Sequence, residues 1–336
     1  MNVLIIRLSA LGDIILLRPV VELLIQQNHH VNVWILSNEK YQELYNFSER
    51  VKFIGLDTKG KHKSINSIIS LVDKMDQIHN FDRIYDLHDV IRSKIIKGFF
   101  KIKKKTIHTL NKGRKQKRKL IDHKIPFEKL PHTIERYVDC LSIDFKELKG
   151  KEINKVFHSN EKQDDNLIGI APFAAHESKM WPLKNYATII RYFSSKSFII
   201  FAFGEKEVEL AKKHFYEFDN CRIIEQDKTI TQQIQIINKL QLIISMDSAN
   251  MHLSSLTKTP VISIWGPTHH YTGFGPLFNS EHIIEVSRDQ LPCRPCSVYG
   301  KIKRKDLKCA TLSMELIQPE TVINKMSDIL SKSPLQ

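Results

Sequence analysis

Asn2-Val-Leu-Ile-Ile-Arg7 decides the fold, because a short run of branched apolar residues predicts a buried parallel strand. The tight segment Ser9-Ala-Leu-Gly-Asp13 follows it, and apolar residues then recur at helical spacing from Ile14 to Gln27. Pro19 falls inside that stretch, where a proline is tolerated if the helix begins close to it. The first 27 residues therefore predict a strand, a loop and a helix.

Strands and helices alternate along the rest of the chain, which predicts βαβ units and parallel sheets. In the first half, strands are predicted at residues 31–36, 51–55 and 82–87 and a helix at 65–75. The pattern then restarts, with strands at 167–171, 197–203, 240–246 and 260–265 and helices at 183–193, 205–215, 248–256 and 319–332. The expected fold class is α/β, built from two such units.

The length of 336 residues agrees with two domains of ordinary size. A polar stretch from Lys146 to Asn166 separates the halves, and Asn160-Glu-Lys-Gln-Asp-Asp-Asn166 is predicted to be a solvated linker. We therefore expect an N-terminal domain at 1–158 and a C-terminal domain at 159–336. Parallel α/β units bind ligands at the carboxyl ends of their strands, so the active site is expected in a cleft between the halves.

The composition is that of a globular protein, with 42% hydrophobic and 26% charged residues. The formal net charge is +14, and thirteen basic residues without an acidic one lie between Arg92 and Lys119. The rest of the chain is close to neutral, which disfavours a protein coated with nucleic acid and singles out one basic surface.

No uninterrupted apolar run is long enough for a transmembrane helix, and Asp13 interrupts what would otherwise resemble the core of a signal peptide. The five cysteines are too few for a secreted disulfide scaffold, which indicates a reducing cytoplasm. The twelve glycines form neither G-x-G-x-x-G nor a Walker loop, which argues against a standard dehydrogenase and a P-loop NTPase.

An ordered set of motifs resembles the bacterial family 9 glycosyltransferases, the family of the ADP-heptose:lipopolysaccharide heptosyltransferases. The set comprises Arg7-Leu-Ser-Ala-Leu-Gly-Asp13, Lys179-Met-Trp-Pro182, Met246-Asp-Ser-Ala-Asn-Met-His252 and Ile264-Trp-Gly-Pro-Thr268. The resemblance spans roughly residues 1–325. It implies the GT-B architecture, with two Rossmann-like domains facing across a cleft. The acceptor would bind to the N-terminal domain and the donor nucleotide to the C-terminal domain, with inverting chemistry and no metal or other cofactor.

Asp13 follows a strand and a loop, so by position alone it could simply cap the next helix. The resemblance instead implies a general base that takes the proton from the acceptor hydroxyl. Gly12 would allow substrate to approach the backbone closely, and Ser9 is expected beside it on the acceptor side. Asp86, His88 and Arg92, at and beyond the end of the fourth strand, are further predicted acceptor contacts.

The donor side is predicted from residues of the second half. Asp247 and Ser248 could cap a short helix or bind a diphosphate at its amino end, and His252 is one helical turn beyond Ser248. The resemblance implies that Asp247 and His252 contact the donor. An isolated lysine such as Lys179 is normally solvated, but the resemblance implies that it stabilises the departing diphosphate.

Three positions depart from the family pattern: Ala174 and Ala175 stand where hydroxyl residues commonly contact the phosphates, and Ala249 replaces a common glycine.

Glu205 is predicted to contact the ribose in preference to Glu207, although either could cap the following helix.

Cys293, Cys296 and Cys309 resemble an incomplete zinc site, which His282 could complete. The simpler interpretation, a loop of reduced thiols, is preferred, and no metal is predicted.

The sequence thus predicts a cytoplasmic, inverting, metal-independent glycosyltransferase with a nucleotide-sugar donor, favoured to be ADP-linked. Its acceptor would be a phosphorylated lipid-linked glycan such as the lipopolysaccharide core. The basic stretch would bring it to the anionic inner face of the cytoplasmic membrane. Two alternatives stay open: a GT-B sugar-nucleotide epimerase, and a nucleic-acid-binding protein that uses residues 92–119. The second has no recognisable nucleic-acid-binding motif, and no nucleic-acid partner is expected.

Overall fold

A computed structural model describes residues 1–156, 163–224 and 228–332. By its internal contacts the chain divides into two compact units. Unit 1 comprises Met1–Gly113 and Pro131–Phe157, and unit 2 comprises Arg114–Leu130 and His158–Gln336. The expected division at 158 agrees with these units except for the segment Arg114–Leu130, which belongs with unit 2. The centre of the predicted linker, 157–162, lies outside the described residues.

Unit 1 contains five parallel strands in the order β3-β2-β1-β4-β5. The strands are β1 (Asn2–Ile6), β2 (Asn32–Asn38), β3 (Val51–Leu56), β4 (Arg83–Asp86) and β5 (Thr106–Thr109). The helices are α1 (Leu11–Gln27), α2 (Ile65–His79), α3 (Ile91–Ile102) and α5 (Thr133–Leu141), and α4 (Arg114–Ile121) lies between them in sequence but in unit 2. The chain leaves β1 in one direction and returns to its other side at β4, so the strand order reverses between these two strands. Such reversals are where open α/β sheets bind ligands.

Unit 2 contains six parallel strands in the order β11-β10-β9-β6-β7-β8. They are β6 (Asp164–Ala171), β7 (Ser197–Ile200), β8 (Cys221–Ile223), β9 (Leu240–Met246), β10 (Val261–Trp265) and β11 (Ile283–Glu285). The helices are α6 (Leu183–Tyr192), α7 (Glu205–Phe215), α8 (Ile230–Lys239), α9 (Ala249–Ser254), α10 (Leu307–Glu315) and α11 (Pro319–Lys332). Here the order reverses between β6 and β9.

Burial of both faces of each sheet explains the apolar runs in the sequence. All seven residues of β9 are buried, and Val3 to Ile6 of β1 are buried as well. Helices cover the faces, and the buried side chains of each unit include an extended apolar cluster. The predicted α/β class with parallel sheets is confirmed.

Helix α1 begins earlier than its apolar pattern predicts, at Leu11 instead of Ile14. Pro19 therefore lies in the helix interior, where the missing N–H normally costs about 3 kcal/mol. The burial of ten residues of α1 offsets that cost. Asp13 is in the first turn of α1 and is not its cap, because the capping position belongs to Ala10.

Arg114–Leu130 packs with unit 2 through aromatic contacts. The Lys117 ammonium lies 3.8 Å from the centre of the Phe274 ring, and the Phe127 ring packs edge-on against His269. The Leu130 N–H donates to the Tyr271 carbonyl at 2.9 Å.

None of the helices in the described ranges is both long and apolar enough to cross a bilayer.

Candidate functional site

The loops after β1 and β4 bring several predicted residues of unit 1 together. The buried Arg7 side chain forms an ion pair with the Asp13 carboxylate and donates to the Leu87 carbonyl at 2.6 Å. The guanidinium also lies 5.9 Å from the centre of the Tyr137 ring. Arg7, which was not among the predicted site residues, thus fixes the Asp13 carboxylate at the carboxyl edge of the sheet. Its place in the first motif, directly after the strand, was the available signal.

His88 joins the same cluster through both of its ring nitrogens. Its Nδ1 accepts from the Leu8 N–H at 3.3 Å, so the neutral ring carries its proton on Nε2. That nitrogen lies 3.4 Å from the Ser9 hydroxyl. Ser9 is exposed, and Gly12 and Asp13 are partly exposed, so this edge of unit 1 is open to a ligand.

Asp86 has a different role from the predicted one, because its side chain is fully buried. One carboxylate oxygen accepts from the N–H groups of His88 and Asp89, and the other accepts from the Ser93 hydroxyl. A carboxylate so engaged positions the His88 loop and does not reach an acceptor. Arg92 lies exposed in the first turn of α3.

In unit 2, residues that follow three adjacent strands converge on the Asp247 carboxylate. Lys179 follows β6, Asp247 follows β9 and Thr268 follows β10. The Lys179 Nζ lies 2.8 Å from Asp247 Oδ2, and the Thr268 hydroxyl donates to the same oxygen at 2.7 Å. Lys179 is buried, so it is not the solvated lysine that an isolated position suggests. Thr268, at the end of the fourth motif, was not among the predicted site residues.

Asp247 does not cap α9, because Ser248 occupies the capping position. The Ser248 hydroxyl lies 3.3 Å from that of Ser245, and His252 is buried within the helix. Asp247 is therefore available to hold Lys179. These observations do not test whether Ser248 and His252 contact the donor.

The two glutamates at the start of α7 differ in their surroundings. Glu205 is exposed, whereas Glu207 accepts from the Phe203 N–H at 2.9 Å. Burial raises the pKa of Glu207 against the lowering effect of that hydrogen bond. Glu205 is thus the more exposed of the two, and its contact with the ribose stays a prediction.

Arg294 was missed by sequence reasoning, since it lies between two cysteines in an irregular loop. Its fully buried guanidinium donates to the carbonyls of Gly266 at 2.6 Å, Trp265 at 3.1 Å and Thr268 at 3.2 Å. It also donates to the Val286 carbonyl and pairs with Glu285 at 3.1 Å. Arg294 thereby fixes the loop that carries Thr268.

His269, His270 and Glu285 place three potential metal-ligating atoms within 4.8 Å of one another. Burial lowers the pKa of His269. Burial would raise the pKa of Glu285, but hydrogen bonds from both histidines and the Arg294 charge outweigh it and hold that pKa far below its usual range. However, His269 Nδ1 accepts from the Tyr271 N–H at 3.1 Å, so its proton lies on Nε2, which faces Glu285. To ligate a metal through Nε2, His269 would have to give up this proton while its Nδ1 still accepts, and the contacts that the cluster makes are hydrogen bonds to Glu285.

The cysteines differ from the expected reduced thiols, because Cys293 and Cys309 form a disulfide. Cys296 is a free thiol with its sulfur 3.1 Å from that of Cys309, and burial raises its pKa to about 11. His282 contacts Glu281 at 3.6 Å. With two sulfurs bonded to each other, these residues do not form the four-ligand zinc site.

Solved structures with the same overall fold come from several bacteria. A glycosyl transferase family 9 protein from Veillonella parvula superposes with a TM-score of 0.75 at 19% identity, covering 99% of this chain and 98% of that one. The E. coli heptosyltransferase WaaC with ADP has a TM-score of 0.73 at 14% identity, covering 98% and 100%. The fold is therefore the GT-B fold of glycosyltransferases.

Sequence similarity is more specific. Residues 70–305 match the sequence model of "Glycosyltransferase family 9 (heptosyltransferase)". This chain therefore belongs to glycosyltransferase family 9, and the epimerase and nucleic-acid alternatives are not retained. Lipooligosaccharide heptosyltransferase 2 of Campylobacter jejuni is 28% identical over 265 residues, 77% of this chain and 78% of its own length. Lipopolysaccharide core heptosyltransferase OpsX of Haemophilus influenzae is 22% identical over 97% of this chain and 96% of its own length.

The lowered pKa of His269 predicts a pH effect on stability. A buried neutral histidine binds fewer protons when folded than when unfolded, so its contribution is complete above the unfolded pKa of about 6.5 and is lost as the pH falls below it. His269→Gln keeps an N–H donor for Glu285 but does not titrate. Between pH 7.5 and 5.5, we expect the unfolding temperature of the wild type to fall further than that of this variant.

Each proton contributes at most about 1.4 kcal/mol per pH unit, which sets the upper limit of the effect. The exposed His30 is the matched control, and His30→Gln should follow the wild type. Parallel pH profiles for wild type and His269→Gln would show that His269 does not contribute.

Proposed function

We propose that this protein transfers a heptose from an ADP-linked donor to a lipopolysaccharide core or related surface glycan, with inversion and without a metal. The ion pair of Lys179 with Asp247, whose carboxylate also accepts from Thr268, carries the proposal. The names of the relatives support the sugar and the acceptor class, and the ADP in the WaaC structure supports the nucleotide.

The donor belongs at the carboxyl edge of unit 2. Lys179 has three N–H donors, and Asp247 engages one of them, which leaves the others for diphosphate oxygens. Its fixed charge would stabilise the negative charge that develops on the departing nucleotide, the role that a metal ion fills in other enzymes. Glu205 is open to accept hydroxyl groups of the ribose. Ser248 and His252 remain proposed donor contacts.

Asp13 is proposed as the general base of a single displacement. As the acceptor hydroxyl oxygen forms its bond to the anomeric carbon, the bond from that carbon to the diphosphate oxygen breaks on the opposite face, and the proton passes to Asp13. Arg7 pairs with one oxygen of the carboxylate, Oδ2, and leaves Oδ1 for the hydroxyl. Ser9, Gly12, His88 and Arg92 are proposed to bind the acceptor. The proposed domain roles follow: acceptor on unit 1, donor on unit 2.

Asp13→Asn tests the base. We expect turnover to fall at least about a hundredfold, the usual effect of removing a general base, while ADP binding is unchanged. Asp82→Asn is the matched control, because Asp82 accepts from the Asn2 N–H at the opposite edge of the same sheet. Turnover of ADP-heptose with a lipopolysaccharide-core acceptor is the measurement. If Asp13→Asn turned over at the wild-type rate, Asp13 would not be the general base.

Lys179→Ala and Asp247→Ala test the donor site. Both should weaken ADP binding, the first by removing the cation and the second by releasing it, whereas chelation with EDTA should leave turnover unchanged. Titration calorimetry with ADP and assays with and without EDTA provide the measurements. Loss of activity on chelation, restored by Mg²⁺ or Mn²⁺, would contradict the metal-free mechanism.

The basic stretch is less uniform than its sequence indicates. Lys103 pairs with Asp73 and Asp76, and Lys105 also pairs with Asp76, so carboxylates of α2 neutralise part of it. Lys97 lies 3.6 Å from Asp86. Phe100 is fully buried and cannot insert into a bilayer, whereas Ile102 is 84% exposed.

We propose that α4 supplies the main contact with an anionic membrane surface. Its exposed basic residues are Arg114, Lys115, Arg118 and Lys119, and only Lys117 is turned inward onto Phe274. Such residues contribute on the order of 1 kcal/mol each near an anionic bilayer, within a Debye length. A peripheral position would bring the enzyme to a lipid-linked acceptor.

Replacing these four residues with Gln tests the membrane contact. We expect weaker binding to vesicles that contain anionic lipids and a higher KM for lipid-linked acceptor, with unchanged ADP affinity. The matched control replaces four exposed lysines of α6 and α7, namely Lys184, Lys206, Lys212 and Lys213. Equal loss of vesicle binding in both variants would indicate net charge and not α4 as the cause.

A further inference from the structure

Lys179 reaches Asp247 across the bare backbone of Gly300. A Cβ built on Gly300 would lie 2.3 Å from the Lys179 Cδ and 2.9 Å from its Cγ. Real Cβ contacts are not that short, so any other residue would displace the lysine stem. Gly300 also has a φ of +97°, a conformation that residues with a side chain rarely adopt.

The lysine has little freedom to move aside, because its backbone and the tip of its side chain are both held by polar contacts. Its Nζ is paired with Asp247 at 2.8 Å, and its backbone N–H donates to the His176 carbonyl at 2.9 Å. The neighbouring Ser178 hydroxyl donates to the Gly300 carbonyl at 2.8 Å. The lysine loop and the glycine are thus joined by a hydrogen bond as well as by contact.

The loop that ends at Gly300 also supports the opposite side of the ion pair. The N–H groups of Cys296 and Ser297 both donate to the Pro267 carbonyl, at 2.8 and 3.1 Å, directly before Thr268. The Ser297 hydroxyl accepts from the Gly300 N–H at 3.0 Å. One short loop therefore contacts both the lysine and the segment that carries the partner of Asp247.

We propose that Gly300 is a positioning residue for sugar transfer, which acts through Lys179 and sets where its ammonium lies between Asp247 and the donor diphosphate. This inference rests on the proposed function of Lys179. It assigns to the Cys296–Gly300 loop a role in donor binding although Gly300 has no side chain to offer a ligand.

A double-mutant cycle tests whether Gly300 acts through Lys179. Gly300→Ala should weaken ADP binding about tenfold or more, the scale of a strained close contact, because the added methyl displaces the lysine stem. In a Lys179→Ala background the stem is absent, and the same change should alter ADP affinity less than about twofold. Gly150→Ala is the control, since its Cβ would make only an ordinary contact of 3.9 Å, and it should match the wild type.

Thermal unfolding of the wild type, Gly300→Ala, Lys179→Ala and the double variant gives a readout that needs no donor. The drop in unfolding temperature caused by Gly300→Ala should be smaller in the Lys179→Ala background, since only the backbone strain remains there. If wild type binds no ADP, the proposed function fails, while the unfolding data still report the coupling.

Ser178→Ala provides a milder test if Gly300→Ala does not fold. Removing the Ser178 hydroxyl frees the Gly300 carbonyl without adding atoms, and ADP affinity should fall a few-fold, but only when Lys179 is present. Equal effects of Gly300→Ala, or of Ser178→Ala, in both backgrounds would overturn the proposal, as would unchanged ADP affinity in the Lys179 background.

Discussion

A buried ammonium group costs free energy unless acceptors or an opposite charge compensate for its lost hydration, and Asp247 at 2.8 Å supplies that charge for Lys179. Much of unit 2 is arranged around that pair. Thr268 donates to Asp247, and Arg294 holds the loop of Thr268 through its carbonyls. Because β10, β9 and β6 are neighbours in the sheet, the segments that follow their carboxyl ends bring the three residues to one edge, with Asp247 directly after β9 and Lys179 in a turn farther along the chain from β6.

The sequence predicts several elements with bounds close to those in the structure. Strand β9 and helices α7 and α11 have the predicted bounds, and β1 differs by one residue. A strand covered on both faces is apolar throughout, so its pattern survives without knowledge of its neighbours. Strands β5, β8 and β11 were missed, because each is a short strand at the edge of its sheet and is only partly buried.

The residues of the candidate site differ in how far the sequence indicates them. Asp13, Lys179 and Asp247 lie in motifs that resemble those of a known family, and their roles stay predictions. Arg294 could not be predicted, since its partners are carbonyls at the ends of β10 and β11, and every position of a sequence has a backbone carbonyl. The pairing of Lys103 with α2 was missed for a related reason: its carboxylate partners are about thirty residues away in the chain. Counting charges along a segment finds an excess but not the residues that neutralise it.

The excursion of Arg114–Leu130 into unit 2 means that sequence halves and folding units do not coincide. A fragment that begins near 158 would contain every strand of the second sheet but would lack the segment Arg114–Leu130, which packs on it. The rings of Phe274, His269 and Tyr271 would lose the partners that Lys117 and Phe127 supply. Such a fragment would present an uncovered aromatic patch, a feature associated with self-association. A single cut near 158 therefore does not separate the two units, although the strand pattern of the sequence indicates two consecutive α/β units.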